Sequence, residues 1–129
     1  MSSLRVVSGL LCDDVRREAN GKLIAIGIYA NRIFVGGFPC VLNLTAFVNV
    51  SVDTKGEQRF KIRLSTGKNM LAEAEILVDP QWTGLDWYSI PFGPLGFDKP
   101  STILMQWMPD GGKWKTFAEV PIEIGKVSG

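Results

Sequence analysis

Two adjacent carboxylates are the first residues in this chain whose type and spacing suggest chemistry. Asp13 and Asp14 lie in Leu11-Cys12-Asp13-Asp14-Val15-Arg16-Arg17-Glu18, between two apolar runs. Paired acids serve as hard oxygen ligands for calcium or as a general acid and base, and both uses need the two groups to converge. On a strand, neighbouring side chains point to opposite faces, so Asp13 and Asp14 cannot hold one ion without a bulge. Asp14 and Arg16 share a face and are expected to pair locally. Asp13 and Asp14 are therefore read as structural, with no metal ligand and no catalytic residue assigned. The alternative, a carboxylate enzyme using Asp13, Asp14 or Asp86, requires two acids across a cleft about 5–10 Å wide.

The chain contains no histidine. That removes the usual general base, the commonest transition-metal ligand and every Ser-His or Cys-His nucleophile pair. A P-loop, a Gly-rich dinucleotide fingerprint and a Cys-x-x-Cys pair are also missing. The expectation is a non-enzymatic protein without a cofactor.

Aromatic chemistry is concentrated in one place. Residues 82–97 carry Trp82, Trp87, Tyr88, Phe92 and Phe97 among prolines and glycines. That density of proline excludes a central strand, which leaves an edge strand or a long crossover. Its aromatics either plug one end of the fold or form a contact surface, because Trp and Tyr offer large area at low entropy cost. Trp82, Trp87, Tyr88 and Phe92 are the candidate binding residues, with Arg16 and Arg17 as a second, lesser group.

The elements that must position these residues follow from periodicity and length. A chain of 129 residues is expected to form one domain, residues 1–129, with a core of its own. The net charge of +1 gives no sequence-wide pull toward nucleic acid or an anionic membrane. No apolar run reaches the ~20 residues of a membrane helix. The start does not read as a signal peptide, and two cysteines make no disulfide framework, so a cytoplasmic setting is expected. The expected partner is an unidentified protein, with homo-oligomer formation left open.

Alternation supplies the strands. Leu42, Leu44, Ala46, Val48, Val50 and Val52 alternate with Asn43, Thr45, Phe47, Asn49 and Ser51, the period of a strand with one buried and one wet face. Phe60, Ile62 and Leu64, then Ala72, Ala74, Ile76 and Val78, repeat the pattern. Loop parity suggests three consecutive antiparallel strands. Three-residue loops Thr54-Lys55-Gly56 and Gly67-Lys68-Asn69 would set Val50 opposite Phe60, Arg63 opposite Glu73, and Lys61 opposite Glu75. Asp110-Gly111 signals a hairpin pairing Trp107 with Trp114. Asn20-Gly21 signals a two-residue turn returning residues 10–18 onto 22–30, with Val15 opposite Ile26, Asp13 opposite Ile28, and Ile24, Ile26 and Ile28 as a buried row. Asp13 would then need hydrogen bonds to offset its burial. The fold class is all-β: a two-sheet antiparallel β-sandwich of about eight strands, with a flattened β-barrel as the alternative.

The run Cys12-Asp13-Asp14-x-Arg16, followed by Gly21-Lys22 and Ile26-Gly27-Ile28-Tyr29, resembles the start of an uncharacterised bacterial and phage-associated family, a domain of unknown function. The resemblance implies a small β-sandwich in a bacterial or phage setting. It supplies no catalytic residue, cofactor or partner. A sugar-, lipid- or calcium-binding module therefore stays open beside the protein-interaction reading.

Overall fold

A computed structural model describes residues 4–29, 32–67 and 69–125 of the chain. Nine strands are found among them: β1 (Leu4–Arg17), β2 (Leu23–Tyr29), β3 (Ile33–Val35), β4 (Cys40–Val52), β5 (Gln58–Thr66), β6 (Asn69–Val78), β7 (Gly84–Phe97), β8 (Ser101–Pro109) and β9 (Lys115–Ile124). They form a four-stranded sheet in the order β2-β1-β4-β7 and a five-stranded sheet in the order β3-β9-β8-β5-β6. Every pair is antiparallel except β3 with β9, which is parallel. The two sheets share one core, which includes Leu11, Leu44, Val48 and Val50 from the first and Phe60, Ile62, Ile103, Met105 and Ile122 from the second.

The expected inward rows on β4, β5 and β6 are present, but β4 and β5 do not pair. The chain leaves β4 in one sheet and enters β5 in the other, so Val50 and Phe60 reach the core from facing layers. Parity cannot separate a hairpin from an arch between sheets, because each buries the same alternate residues. Gly56, at φ +101°, donates its N–H to the Pro80 carbonyl at 3.1 Å, tying this arch to the β6–β7 connection.

The β5–β6 register is as expected at Arg63 opposite Glu73 and Lys61 opposite Glu75. The loop differs. Thr66 pairs with Asn69, and a shift at Leu64/Ser65 restores the parity; Lys68 lies outside the described residues. The ion pair formed is the diagonal Arg59–Glu75 at 3.5 Å. Arg63 instead donates to the Gln106 side chain at 2.6 Å and lies over the Trp114 ring, 4.1 Å from its centre.

The β8–β9 hairpin is displaced by one residue from the Asp110-Gly111 reading. Trp107 faces Lys115, so Trp107 is buried in the core while Trp114 lies under Arg63. The Gly112 N–H closes the turn onto the Pro109 carbonyl at 2.8 Å. A second glycine after Asp110-Gly111 makes the longer turn available.

The first hairpin is also displaced. Cys12 faces Ile28, Asp14 faces Ile26 and Arg16 faces Ile24. The loop is Ala19-Asn20-Gly21: the Glu18 N–H bonds to the Lys22 carbonyl at 2.7 Å, and Gly21 takes φ +88°. This is the three-residue hairpin with a left-handed glycine, not the two-residue turn. The shift exchanges faces. Ile24, Ile26 and Ile28 are 42%, 40% and 52% exposed on the outer side of the sheet rather than buried, and Asp13 lies on the other side, where Tyr29 donates to it at 3.1 Å. β1 pairs with β4 only as far as Cys12 with Thr45. Beyond Asp13, whose carbonyl still accepts the Thr45 hydroxyl at 3.4 Å, the β1–β2 hairpin projects as an arm with no further strand paired to β1 among the described residues.

Gly27 is the tightest point of the arm. Its φ is +68°, and a Cβ there would overlap the Asp13 carboxylate. Gly27→Ala is expected to destabilise the protein by about 2–3 kcal/mol, combining left-handed backbone strain with steric crowding. The urea midpoint measures it. A variant as stable as the parent would show that the arm relaxes without loss.

Candidate functional site

The segment containing the candidate aromatics is an edge strand. β7 follows β4 along its whole length, from Cys40 opposite Phe97 to Val52 opposite Gly84. The prolines are tolerated because β7 has no neighbour on its other side in the sheet. A register shift beside Leu44/Thr45 absorbs Phe92, which packs with the core margin.

Alternation then divides the candidates. Trp87 faces outward and stacks on Phe47, with ring centres 4.6 Å apart and planes 23° apart. Phe47 is thereby buried although it occupies an outward position of β4, and Thr45 and Asn49 on the same face are buried too. The expected wet face of β4 is therefore covered over its middle. Tyr88 faces inward, with its ring 6.4 Å from that of Phe60. Trp82 stands in the connection between β6 and β7, 79% exposed, and Leu85 is 70% exposed at the start of β7.

This connection is held in place despite its exposure. Pro80 is buried and its carbonyl accepts the Gly56 N–H, while the Gln81 side chain donates to the Asp79 carbonyl at 3.0 Å. Below it, where edge strands β6 and β7 of the two sheets meet, runs a groove of about 430 Å³ whose lining includes Ile76, Leu77, Asp79, Trp82, Asp86 and Tyr88. Burial, reinforced by the charge of Asp86 and a hydrogen bond to it, pushes the Tyr88 phenol up to about 12.

Arg16 and Arg17 lie elsewhere. They sit near the tip of the β1–β2 arm, at the opposite edge of the sheet from β7. Arg16 pairs with Asp14 at 3.2 Å, as expected for same-face neighbours, and Arg17 reaches the Gly21 carbonyl at 3.5 Å. Asp13 is held by a side chain, Tyr29, rather than by backbone donors, and it is exposed rather than buried against isoleucines. Cys12 is the residue buried beside Ile28. Burial raises its thiol pKa, and its S–H points at the Asp14 carbonyl at 3.5 Å, so it packs as a small apolar group.

The carboxylates weighed for an enzyme do not converge. Asp86 is level with Val50, which is level with Val6. Asp13 is seven residues further along β1, and β4 lies between. At strand spacings of about 3.3 Å per residue and 4.8 Å per strand, the separation is on the order of 25 Å. Among the described residues, no group of three Cys, Asp or Glu side chains is placed to hold a metal ion, and no helix is long and apolar enough to cross a membrane.

Phe47, Leu85 and Asp79 were not singled out by sequence reasoning, and Asp86 was weighed only as a candidate enzyme carboxylate. A signal existed for Phe47: a phenylalanine among Asn, Thr and Ser on the polar side of an alternating strand asks for a cover.

The chain belongs to the family of unknown function DUF6941, whose model matches residues 8–118. The match extends well beyond the N-terminal motif, through β8 and into β9. No curated protein matches the chain.

The two tyrosines are expected to ionise late. Tyr29 is raised by burial and then by its bond to Asp13, and Tyr88 reaches about 12, against about 10 for a free phenol. A raised folded pKa favours the protonated fold, so the contribution of Tyr88 is intact below pH ~10 and is lost as pH rises toward ~12. Absorbance at 295 nm should show no tyrosine titrating at the free value, and Tyr88→Phe should remove the component near 12. A full step at the free value would contradict the packing of both rings.

Proposed function

We propose that this chain is a non-enzymatic protein-interaction module whose contact surface is the β6–β7 connection and the first half of β7. The observation that carries the reading is the display of Trp82, Leu85 and Trp87 on an anchored segment, with Trp82 79% exposed. Exposed apolar surface rimmed by polar groups is a common mark of a contact site, and tryptophan is enriched among contacts that dominate binding energy. A protein is favoured over nucleic acid as partner by the chain's near-zero net charge and by carboxylates beside the aromatics. A cytoplasmic setting in a bacterial or phage system belongs to the same reading. It is supported by the free cysteines Cys12 and Cys40 and by the resemblance at the N-terminal motif.

Mutation separates contact from packing. Trp82→Ala should leave stability within about 0.5 kcal/mol of the parent, as for an exposed site, while weakening partner capture by about 2 kcal/mol or more. Trp87→Ala also loses the Phe47 stack, about 0.5–1.5 kcal/mol beyond area burial. Capture from the native host and thermal melting, measured on the same variants, check both. Unchanged capture by a stable Trp82→Ala protein would reject the contact role.

A further inference from the structure

Each of the other three tryptophans has a partner for its ring. Trp114 is covered by the Arg63 guanidinium at 4.1 Å, Trp107 by the Lys115 ammonium at 5.4 Å, and Trp87 is stacked on Phe47. Trp82 has no ring or cation partner among the described residues. It stands at a groove whose lining contains the carboxylates of Asp79 and Asp86 and no Lys or Arg. Neither carboxylate has an ion-pair partner among the described residues, where the three pairs are Arg16–Asp14, Arg32–Glu123 and Arg59–Glu75. Elsewhere in this fold, two tryptophan rings lie under cations and three surface acids are ion-paired. Here the aromatic ring and two negative charges are present and the cation is missing.

We propose that the β6–β7 groove receives an arginine or lysine side chain from a partner protein, with the cation lying against Trp82 and pairing with Asp79 and Asp86. This rests on the interaction role proposed for the same segment and names the chemistry of what it binds. An aromatic face attracts a cation through its quadrupole, Trp most strongly. A carboxylate beside the ring adds charge-assisted hydrogen bonds that a neutral ligand cannot use fully. Leu77 and Tyr88, also in the lining, offer apolar surface for the methylene stem of such a side chain, whose length suits burial of the stem with the charged head at the carboxylates.

The test is a titration of the full chain with a capped pentapeptide of glycine and serine carrying one central arginine. The indole N–H resonance of Trp82 is followed by NMR. The arginine peptide should shift Trp82 more than Trp107 or Trp114, whereas peptides with central glutamate or glutamine should leave it in place. Joint Asp79→Asn and Asp86→Asn substitution should weaken binding about tenfold, equivalent to one lost charge pair of 1.4 kcal/mol. Raising salt to about 1 M, where the Debye length is near 3 Å, should weaken it similarly. Equal binding of the glutamine peptide, or binding indifferent to the two asparagines, would overturn the proposal. Binding of a neutral oligosaccharide at the same resonance with no response to the arginine peptide would overturn it as well. Capture from the native host that needs Trp82 but is unaffected by the asparagine pair would reject the cation while leaving the interaction role standing. Capture unaffected by Trp82→Ala would remove the interaction role itself.

Discussion

Burial of β4 on both faces is the constraint from which the rest of the architecture follows. Its inward row, Leu44 through Val52, fills the core, and its outward Thr45, Phe47 and Asn49 are also withdrawn from water. A strand buried twice must have neighbours on both edges and cover on both sides. β1 and β7 supply the edges, the five-stranded sheet covers the inner face, and the Trp87 ring covers Phe47. Asn49, left on a dry face, donates its side-chain amide to the Asp86 carbonyl at 3.2 Å, which avoids the cost of an unpaired buried donor. Because β7 must accompany β4 to Val52, it begins at Gly84, and the chain leaving β6 has five residues to arch across the open side. The position of Trp82 is a consequence of that length.

The same topology explains how the free edges are kept apart from other chains. β3 has three residues, β6 carries Glu73 and Glu75, and β7 has Pro91, Pro94 and a register shift, each a recognised way to discourage edge pairing. β2 has no charge and no proline between Leu23 and Tyr29. Its safeguard is Gly27, whose positive φ breaks the regular extended geometry opposite Asp13. The isoleucine row stays exposed because it lies on the outer side of the four-stranded sheet, away from the five-stranded layer.

What the sequence made legible was alternation. The inward rows of β4, β5 and β6, the β5–β6 register at Arg63 and Lys61, and the edge status of β7 all follow from period two and proline placement. What it hid were choices that alternation leaves degenerate. Residues 53–57 join strands with matching inward faces whether they form a hairpin or cross between sheets. Asn20-Gly21 suits a two-residue turn, while Ala19-Asn20-Gly21 suits a three-residue one, and the single-residue difference moved Ile24, Ile26 and Ile28 from core to surface and Asp13 from an apolar row to Tyr29. β3 is too short for periodicity to register. At the candidate site, aromatic composition identified Trp82, Trp87, Tyr88 and Phe92 as a group. Only the pairing with β4 sorted them into an exposed pair and two packed rings, and only the meeting of β6 with β7 placed Asp79 and Asp86 beside Trp82.

Anchoring and exposure at Trp82 are separate properties, and their combination matters for binding. An exposed ring on a loosely held loop would have to be ordered when it docks, and that entropy subtracts from affinity. Here the backbone on either side is fixed before any partner arrives: Pro80 by burial and by the Gly56 N–H, and β7 by continuous pairing with β4. The remaining ordering falls on side-chain torsions alone, of which tryptophan has two. A ring held out on such a mount gains most of its contact area at little conformational cost, which is the physical reason an exposed Trp on a rigid edge reads differently from an exposed Trp on a free loop.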